Sequence, residues 1–152
     1  MKRLLSILLT TCLLLLLGCS PAAPDAPDQV ETPPAEANAA EALGYKQITP
    51  EEAKAMMDRG EADVILDVRT LDEFETGHIA GAVLLPDYEI EDKAETVLPD
   101  KDAVILVYCR SGRRSKEASA ALAEMGYQNV FEFGGIIDWP YETAMQATCG
   151  GA

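Results

Sequence analysis

Residues 104–115 read VILVYCRSGRRS, and this stretch decides the fold. Its first five residues form an apolar run of the length expected for a strand that is buried on both faces. Gly112 permits a tight turn that would strain other residues. The apolar residues that follow have helical spacing and predict a helix over residues 113–125. The stretch therefore predicts a strand, a short loop that starts at Cys109, and a helix.

Strand and helix signals alternate along residues 45–152. A capping box with proline at the first helical position, TPEE at residues 49–52, predicts a helix that ends near Arg59. Further apolar runs predict strands over residues 64–68, 82–85 and 130–133. This alternation indicates an α/β fold with a mostly parallel sheet covered by helices. Ligands bind such sheets beyond the carboxyl ends of the strands, and Cys109 is expected at such an end.

The charge of the chain is strongly negative, but the loop after Cys109 is basic. The 152 residues include 12 Lys and Arg against 26 Asp and Glu, for a formal net charge of −14. This balance argues against a nucleic-acid partner. Four basic residues nevertheless fall within seven positions: Arg110, Arg113, Arg114 and Lys116. Together with loop amides and a helix N-terminus, they favour a thiolate at Cys109 and an anionic substrate.

The N-terminal segment has the pattern of a targeting signal. Residues 1–19, MKRLLSILLTTCLLLLLGC, combine a basic start with an apolar run shorter than the roughly 20 residues that span a bilayer. Its end, with Gly18 before Cys19, resembles the lipobox of bacterial lipoproteins. The resemblance implies removal of residues 1–18, lipid on Cys19 and a membrane-anchored protein on the extracytoplasmic side of the bacterial envelope, either periplasmic or at the cell surface.

Residues 19–44 are predicted to be a tether between this anchor and one domain over residues 45–152. Five of the nine prolines fall in residues 20–44, together with alanine and acidic residues. Such a segment buries too little apolar surface to offset its chain entropy and is expected to be disordered. The four cysteines, at positions 12, 19, 109 and 149, form no CxxC pair, so no zinc site is predicted.

The loop CRSGRRS resembles the active-site loop of the single-domain rhodaneses, a sulfurtransferase family. Further segments resemble motifs of that family, in order and at the family spacing: DVR at 67–69, EFETGHIAGA at 73–82, GYQNV at 126–130 and GGIIDW at 134–139. The resemblance implies a three-layer α/β/α domain with a central sheet of about five strands. One departure is Leu84, which stands where the family often has asparagine.

The resemblance also implies a ping-pong transfer of sulfane sulfur through a persulfide on Cys109. The donor is a small anion such as thiosulfate, and the acceptor is cyanide or a thiol, with a protein thiol as a further option. No metal or organic cofactor is implied. The groups expected to bind the substrate are Arg110, Ser111, Gly112, Arg113 and Arg114, and Arg114 is the preferred candidate for the substrate-binding arginine.

Four residues outside the loop are expected to support it. The resemblance implies that Asp67 and Arg69 organise the loop, with Glu73 as a candidate partner for Arg69. His78 is expected in a structural turn, because a thiolate held by amides needs no general base. Cys149 remains open between an inert thiol, a resolving thiol and a disulfide partner of Cys109.

Three other functional classes remain as alternatives. A phosphatase or arsenate reductase of the same fold has arginine six positions after the cysteine, whereas that position is Ser115 here and Arg114 lies at five. A tethered binding or sulfur-carrier module needs no catalysis, although the retained Cys109 favours activity. A thiol-redox protein that uses Cys109 and Cys149 is disfavoured because these residues do not form a CxxC pair.

Overall fold

A single parallel sheet forms the centre of the domain. In the computed structural model, residues 39–145 are described, and its sheet contains β1 Lys46–Gln47, β2 Val64–Asp67, β3 Val83–Leu84, β4 Val104–Cys109 and β5 Asn129–Gly135. The strand order is β1-β5-β4-β2-β3, and all neighbouring strands are parallel. The predicted α/β fold with five parallel strands is therefore confirmed.

Helices cover both faces of this sheet. They are α1 Pro50–Asp58, α2 Leu71–Glu75, α3 Ile90–Val97 and α4 Arg113–Glu124. Alternate residues of β4 enter two different apolar clusters. Val107 and Cys109 pack in the cluster that includes Leu122 of α4, whereas Leu106 packs in the cluster that includes Ala53 of α1. The domain thus has three layers, and Cys109 lies on the face covered by α4.

The central position of β4 explains its composition. Its neighbours are β2 and β5, and helices pack above and below it. The four residues from Ile105 to Tyr108 are fully buried. A strand in this position exposes neither face to water, so every side chain can be apolar.

The capping box predicted for α1 is confirmed. The Glu52 amide donates to Thr49 Oγ1 at 3.2 Å, and the Thr49 amide donates to Glu52 Oε2 at 2.8 Å. These bonds satisfy amides that the first helical turn leaves unpaired. The helix ends at Asp58, one residue before the predicted end.

Three of the nine strands and helices named above were not predicted, and each has a physical reason. β1 has only two residues, and it is a strand because it pairs with β5. α3 is rich in charged residues and buries only Ile90 and Ala94. α2 has five residues, too few for a periodic pattern, although Thr70 and Glu73 form a second capping box.

The folded part begins before residue 45. Residues 39–42 are helical, and Ala40 is 1% exposed in the core cluster that includes Leu122. The last residues of the predicted tether therefore pack on the domain, because Ala40 buries apolar surface there. The predicted signal peptide, Cys19, most of the tether and Cys149 lie outside the described residues. Within residues 39–145, no helix is long and apolar enough to cross a membrane.

Candidate active site

Cys109 ends β4 and begins a short loop that leads into α4. Its side chain is 1% exposed, and its Sγ accepts a hydrogen bond from the Gly112 amide at 3.2 Å. Gly112 has φ of 93°, a left-handed conformation that glycine adopts without strain, and it caps the N-terminus of α4. The sulfur therefore lies at the N-terminus of α4, where unpaired amides and the helix dipole can stabilise negative charge.

The end of β5 forms one wall of this loop. Gly135 is the register partner of Cys109 in the sheet. A Cβ atom on Gly135 would lie 2.5 Å from Ser111 Cα and even closer to the Arg110 carbonyl oxygen, so only glycine fits here. The Ile137 amide donates to that same carbonyl oxygen at 3.3 Å. The loop backbone therefore packs directly on the backbone of the β5 end.

A buried pair holds the first turn of α4. Ser115 is fully buried, and its hydroxyl donates to Glu132 Oε1 at 2.6 Å. The Gly134 amide donates to the same oxygen at 2.8 Å. One carboxylate oxygen of β5 therefore binds both the helix and the wall of the loop.

Arg114 and Glu73 connect α4 to α2. The Arg114 guanidinium donates from Nη1 and Nη2 to the two carboxylate oxygens of Glu73, each at 2.8 Å. Glu73 also accepts from the Thr70 amide in the capping box of α2. The hydrogen bonds from Arg114 are the main reason that the pKa of Glu73 is lowered to about 2. Both ends of this ion pair are partly buried and fixed by helices.

Asp67 and Arg69 form a second ion pair at the end of β2. Arg69 Nη2 donates to Asp67 Oδ2 at 2.6 Å and to the Gly77 carbonyl at 2.8 Å. The guanidinium lies over the ring of Tyr108, 5.7 Å from its centroid. Burial and the Asp67 carboxylate raise the pKa of Tyr108, so its phenol stays protonated. The pair fixes the chain beside the residue that precedes Cys109.

The comparisons with known proteins agree with this geometry. The family model of the rhodanese-like domain matches residues 49–140. The chain belongs to the rhodanese-like domain family. The matched range contains strands β2 to β5, helices α1 to α4 and the Cys109 loop.

The chain is similar to proteins that are named thiosulfate sulfurtransferases. The chain is 37% identical over 105 residues to thiosulfate sulfurtransferase GlpE of Pseudomonas entomophila, covering 66% of this chain and 93% of that protein. It is 38% identical over 73 residues to thiosulfate sulfurtransferase PspE of Escherichia coli K12, covering 48% and 70%. A solved structure described as rhodanese with anions from E. coli is 34% identical, with a TM-score of 0.51 and coverage of 54% and 96%. These relatives support the sulfurtransferase class for the rhodanese-like domain.

The predicted pairing of Glu73 with Arg69 is wrong. Arg69 pairs with Asp67 two residues earlier, and Glu73 pairs with Arg114 of α4. Asp67 is fully buried at the end of β2, so it needs the nearest cation. Glu73 instead pairs with Arg114, which lies 41 positions later in the sequence.

The remaining predicted residues differ in what they contact. His78 stacks on Phe74 with ring centroids 3.8 Å apart, and its Nδ1 lies 3.0 Å from the Phe74 carbonyl. Its backbone pairs with Ala144 in an isolated bridge. His78 is therefore in a bridge rather than in a turn, and its supporting role stays a prediction.

The three loop arginines also differ. Arg113 pairs with Glu117 on the exposed side of α4, and Arg114 pairs with Glu73. Arg110 is exposed and is in no ion pair within residues 39–145. Ser111 is exposed beside it. In that range, no three acidic, His or Cys side chains cluster as metal ligands do.

Sequence reasoning did not identify Glu132, Ser115 or Tyr108 as parts of the site. Glu132 had a visible signal, because it is an acidic residue within the apolar strand Asn129–Gly135. A carboxylate in a strand buried on both faces requires hydrogen-bond donors from other elements. Ser115 and Tyr108 had no such signal, since their partners depend on how α4 and the end of β2 pack.

The low pKa of Glu73 predicts how its contribution to stability depends on pH. Ionised Glu73 stabilises the fold above its ordinary pKa of 4.5, and this contribution is lost as pH falls towards 2. We expect Glu73→Gln to be less stable than wild type at pH 7, and the difference to shrink between pH 5 and pH 2. Urea unfolding at several pH values measures this difference in the free energy of unfolding. Glu75→Gln, an exposed change in the same helix, is the matched control, and a difference that does not vary with pH would contradict the role of the ion pair.

Proposed function

We propose that this chain is a sulfurtransferase in which Cys109 carries sulfane sulfur as a persulfide. The observation that carries the proposal is the hydrogen bond from the Gly112 amide to Cys109 Sγ, in a loop enclosed by α4 and the end of β5. Thiolates are the nucleophilic form of cysteine. The names of the thiosulfate sulfurtransferase relatives support the same reaction class.

The reaction takes place in two displacement steps at sulfur. The Cys109 thiolate attacks the outer sulfur of thiosulfate, a new S–S bond forms, and the bond to the leaving sulfite breaks. Cyanide or a thiolate then attacks the outer sulfur of the persulfide and releases the Cys109 thiolate. Covalent catalysis of this kind divides one transfer into two easier steps. The Gly112 amide and the N-terminus of α4 stabilise the negative sulfur before and after each step.

Arg110 is proposed as the main side chain that attracts the donor anion. Arg114 was the preferred candidate from the sequence, but its guanidinium binds both oxygens of Glu73. Arg113 is paired with Glu117 at a highly exposed site. Arg110 follows Cys109 directly and has no ion-pair partner within residues 39–145, so its charge is available to the donor.

The geometry argues against the phosphatase or arsenate reductase alternative. Those enzymes need an arginine six positions after the cysteine to bind a tetrahedral oxyanion. Ser115 occupies that position and is buried against the Glu132 carboxylate. The binding or sulfur-carrier module remains the second candidate, because it uses the same persulfide without turnover.

We also propose that lipid on Cys19 anchors the domain to a membrane of the bacterial envelope. The support is the order of a basic start, an apolar run, Gly18 and Cys19 in the sequence. Two or more acyl chains would make such an anchor stable. The acidic, proline-rich segment that follows would hold the domain away from the membrane surface.

Mass spectrometry tests the persulfide directly. After incubation of the reduced protein with thiosulfate, we expect wild type and the control Cys149→Ser to gain one sulfur atom and Cys109→Ser to gain none. Addition of cyanide or a thiol should remove this sulfur with repeated turnover in an enzyme. Loaded sulfur that no acceptor removes would favour the carrier module, and no gain in wild type would contradict the proposal.

Arg110→Ala tests the role of the free guanidinium. We expect KM for thiosulfate to rise about fivefold with little change in kcat, the loss of roughly 1 kcal/mol from one exposed charge interaction. Steady-state kinetics measure both constants. Arg59→Ala, which removes an exposed arginine paired with Glu61, is the control and should leave both unchanged. Equal KM values for Arg110→Ala and wild type would exclude this role.

The membrane anchor is tested by the mass of the protein purified from bacterial membranes. We expect a chain that begins at Cys19 and carries the added mass of diacylglycerol. Cys19→Ser should abolish both the lipid mass and the membrane association. A membrane-free wild-type protein that retains residues 1–18 would contradict the proposal.

A further inference from the structure

Glu132 is a buried acidic residue that the sulfur-transfer steps do not use. Its side chain belongs to β5 and is 2% exposed. It lies on the same face of the sheet as Val130 and Cys109, whereas Phe131 and Phe133 face the other cluster. Within residues 39–145 it has no cationic partner. Burial of an unpaired carboxylate is costly, so its neighbours must satisfy it.

Neutral donors from three parts of the chain satisfy this carboxylate. Its Oε1 accepts from the Ser115 hydroxyl at 2.6 Å and from the Gly134 amide at 2.8 Å. Its Oε2 accepts from Gln47 Nε2 at 3.2 Å, at the end of β1. Glu132 thus connects the first turn of α4, the wall of the loop and the edge strand.

The carboxylate lies directly behind the amide that contacts Cys109. A Cβ atom on Gly112 would be 4.0 Å from Glu132 Oε1 and 3.6 Å from Gly134 Cα. The Gly112 carbonyl oxygen is 3.0 Å from the Ser115 hydroxyl. Ser115 is the third residue of α4, so a bond that fixes it also fixes the orientation of the Gly112 amide.

We propose that Glu132 is a positioning residue that holds the N-terminus of α4 and the Gly134 wall together, so that the Gly112 amide stays directed at Cys109 Sγ. The inference rests on the proposed role of Cys109 as the nucleophile. Glu132 acts through hydrogen bonds and not through its charge, because a nearby negative charge opposes formation of a thiolate.

The hydrogen-bond role and the charge role can be separated by two substitutions. In Glu132→Gln, the amide oxygen can still accept from Ser115 and Gly134. Its new NH₂ group faces Gln47, whose buried Oε1 has no hydrogen-bond partner among residues 39–145 and can accept the bond after an amide flip. Glu132→Gln thus keeps the contacts and removes the charge, whereas Glu132→Ala removes both.

The experiment measures the rate of Cys109 alkylation by iodoacetamide from pH 5 to pH 10 in the full chain, with the labelled cysteine identified by peptide mass. For Glu132→Ala we expect the pH midpoint to rise by about one unit and the rate at pH 7 to fall about tenfold. Glu132→Gln should have a midpoint at or below that of wild type, because it keeps the hydrogen bonds and removes a negative charge that opposes the thiolate.

Tyr127→Phe is the matched control. It removes another buried hydrogen bond, from the Tyr127 hydroxyl to the Leu98 carbonyl at 2.7 Å. Tyr127 precedes the first residue of β5, whereas Gly134 and Gly135 end that strand. It should lower stability to urea without a change in the alkylation midpoint. A change of the same size in Tyr127→Phe would show that general loosening moves the midpoint and would overturn the positioning role.

Two further outcomes would overturn the inference. One is a pH midpoint in Glu132→Ala that equals the midpoint of wild type. The other is a fall in the alkylation rate at pH 7 that is as large in Glu132→Gln as in Glu132→Ala. If Glu132→Ala does not fold, Ser115→Ala removes one arm of the same contact and should shift the midpoint in the same direction by a smaller amount. Failure of wild type to take sulfur from thiosulfate would contradict the proposed function alone, because the alkylation profile does not depend on it.

Discussion

The close approach of two backbone segments, the loop after Cys109 and the end of β5, is the constraint on which the rest of the site depends. A Cβ atom on Gly135 would collide with Ser111 and Arg110, so the two segments can meet only at glycine. This contact holds the loop beside the end of β5, and α4 begins four residues after Cys109, the last residue of β4. The Gly112 amide can then reach the sulfur.

Carboxylates of α2 and β5 bind the first turn of α4, directly after the loop. Glu73, which caps α2, binds Arg114 with both oxygens, and Glu132 of β5 binds the first turn of α4 through Ser115. A third carboxylate, Asp67, is paired with Arg69 at the end of β2. In a chain with a net charge of −14, Glu73 and Asp67 are thus paired with arginines, and Glu132 is satisfied by neutral donors.

The parts of the fold that were predictable are those with local signals. β2, β4 and β5 are apolar because parallel strands in a covered sheet are buried on both faces. α1 was visible through its capping box, and α4 through its spacing of alanine and leucine. β1 was not visible, because two residues carry no periodic pattern and β5 defines the strand by pairing with it. α3 was hidden because most of its residues are exposed and charged.

The sequence by itself determined that a cysteine ends a buried strand and that a glycine turn follows before a basic helix. It also indicated the rhodanese-like fold, since four separated motifs occur in order. Only the tertiary structure decided which acid binds which arginine, and that Glu132 lies behind the loop. These contacts join residues 41 and 17 positions apart. They depend on how separate elements pack, whereas a local sequence pattern predicts only the helix or strand in which it lies.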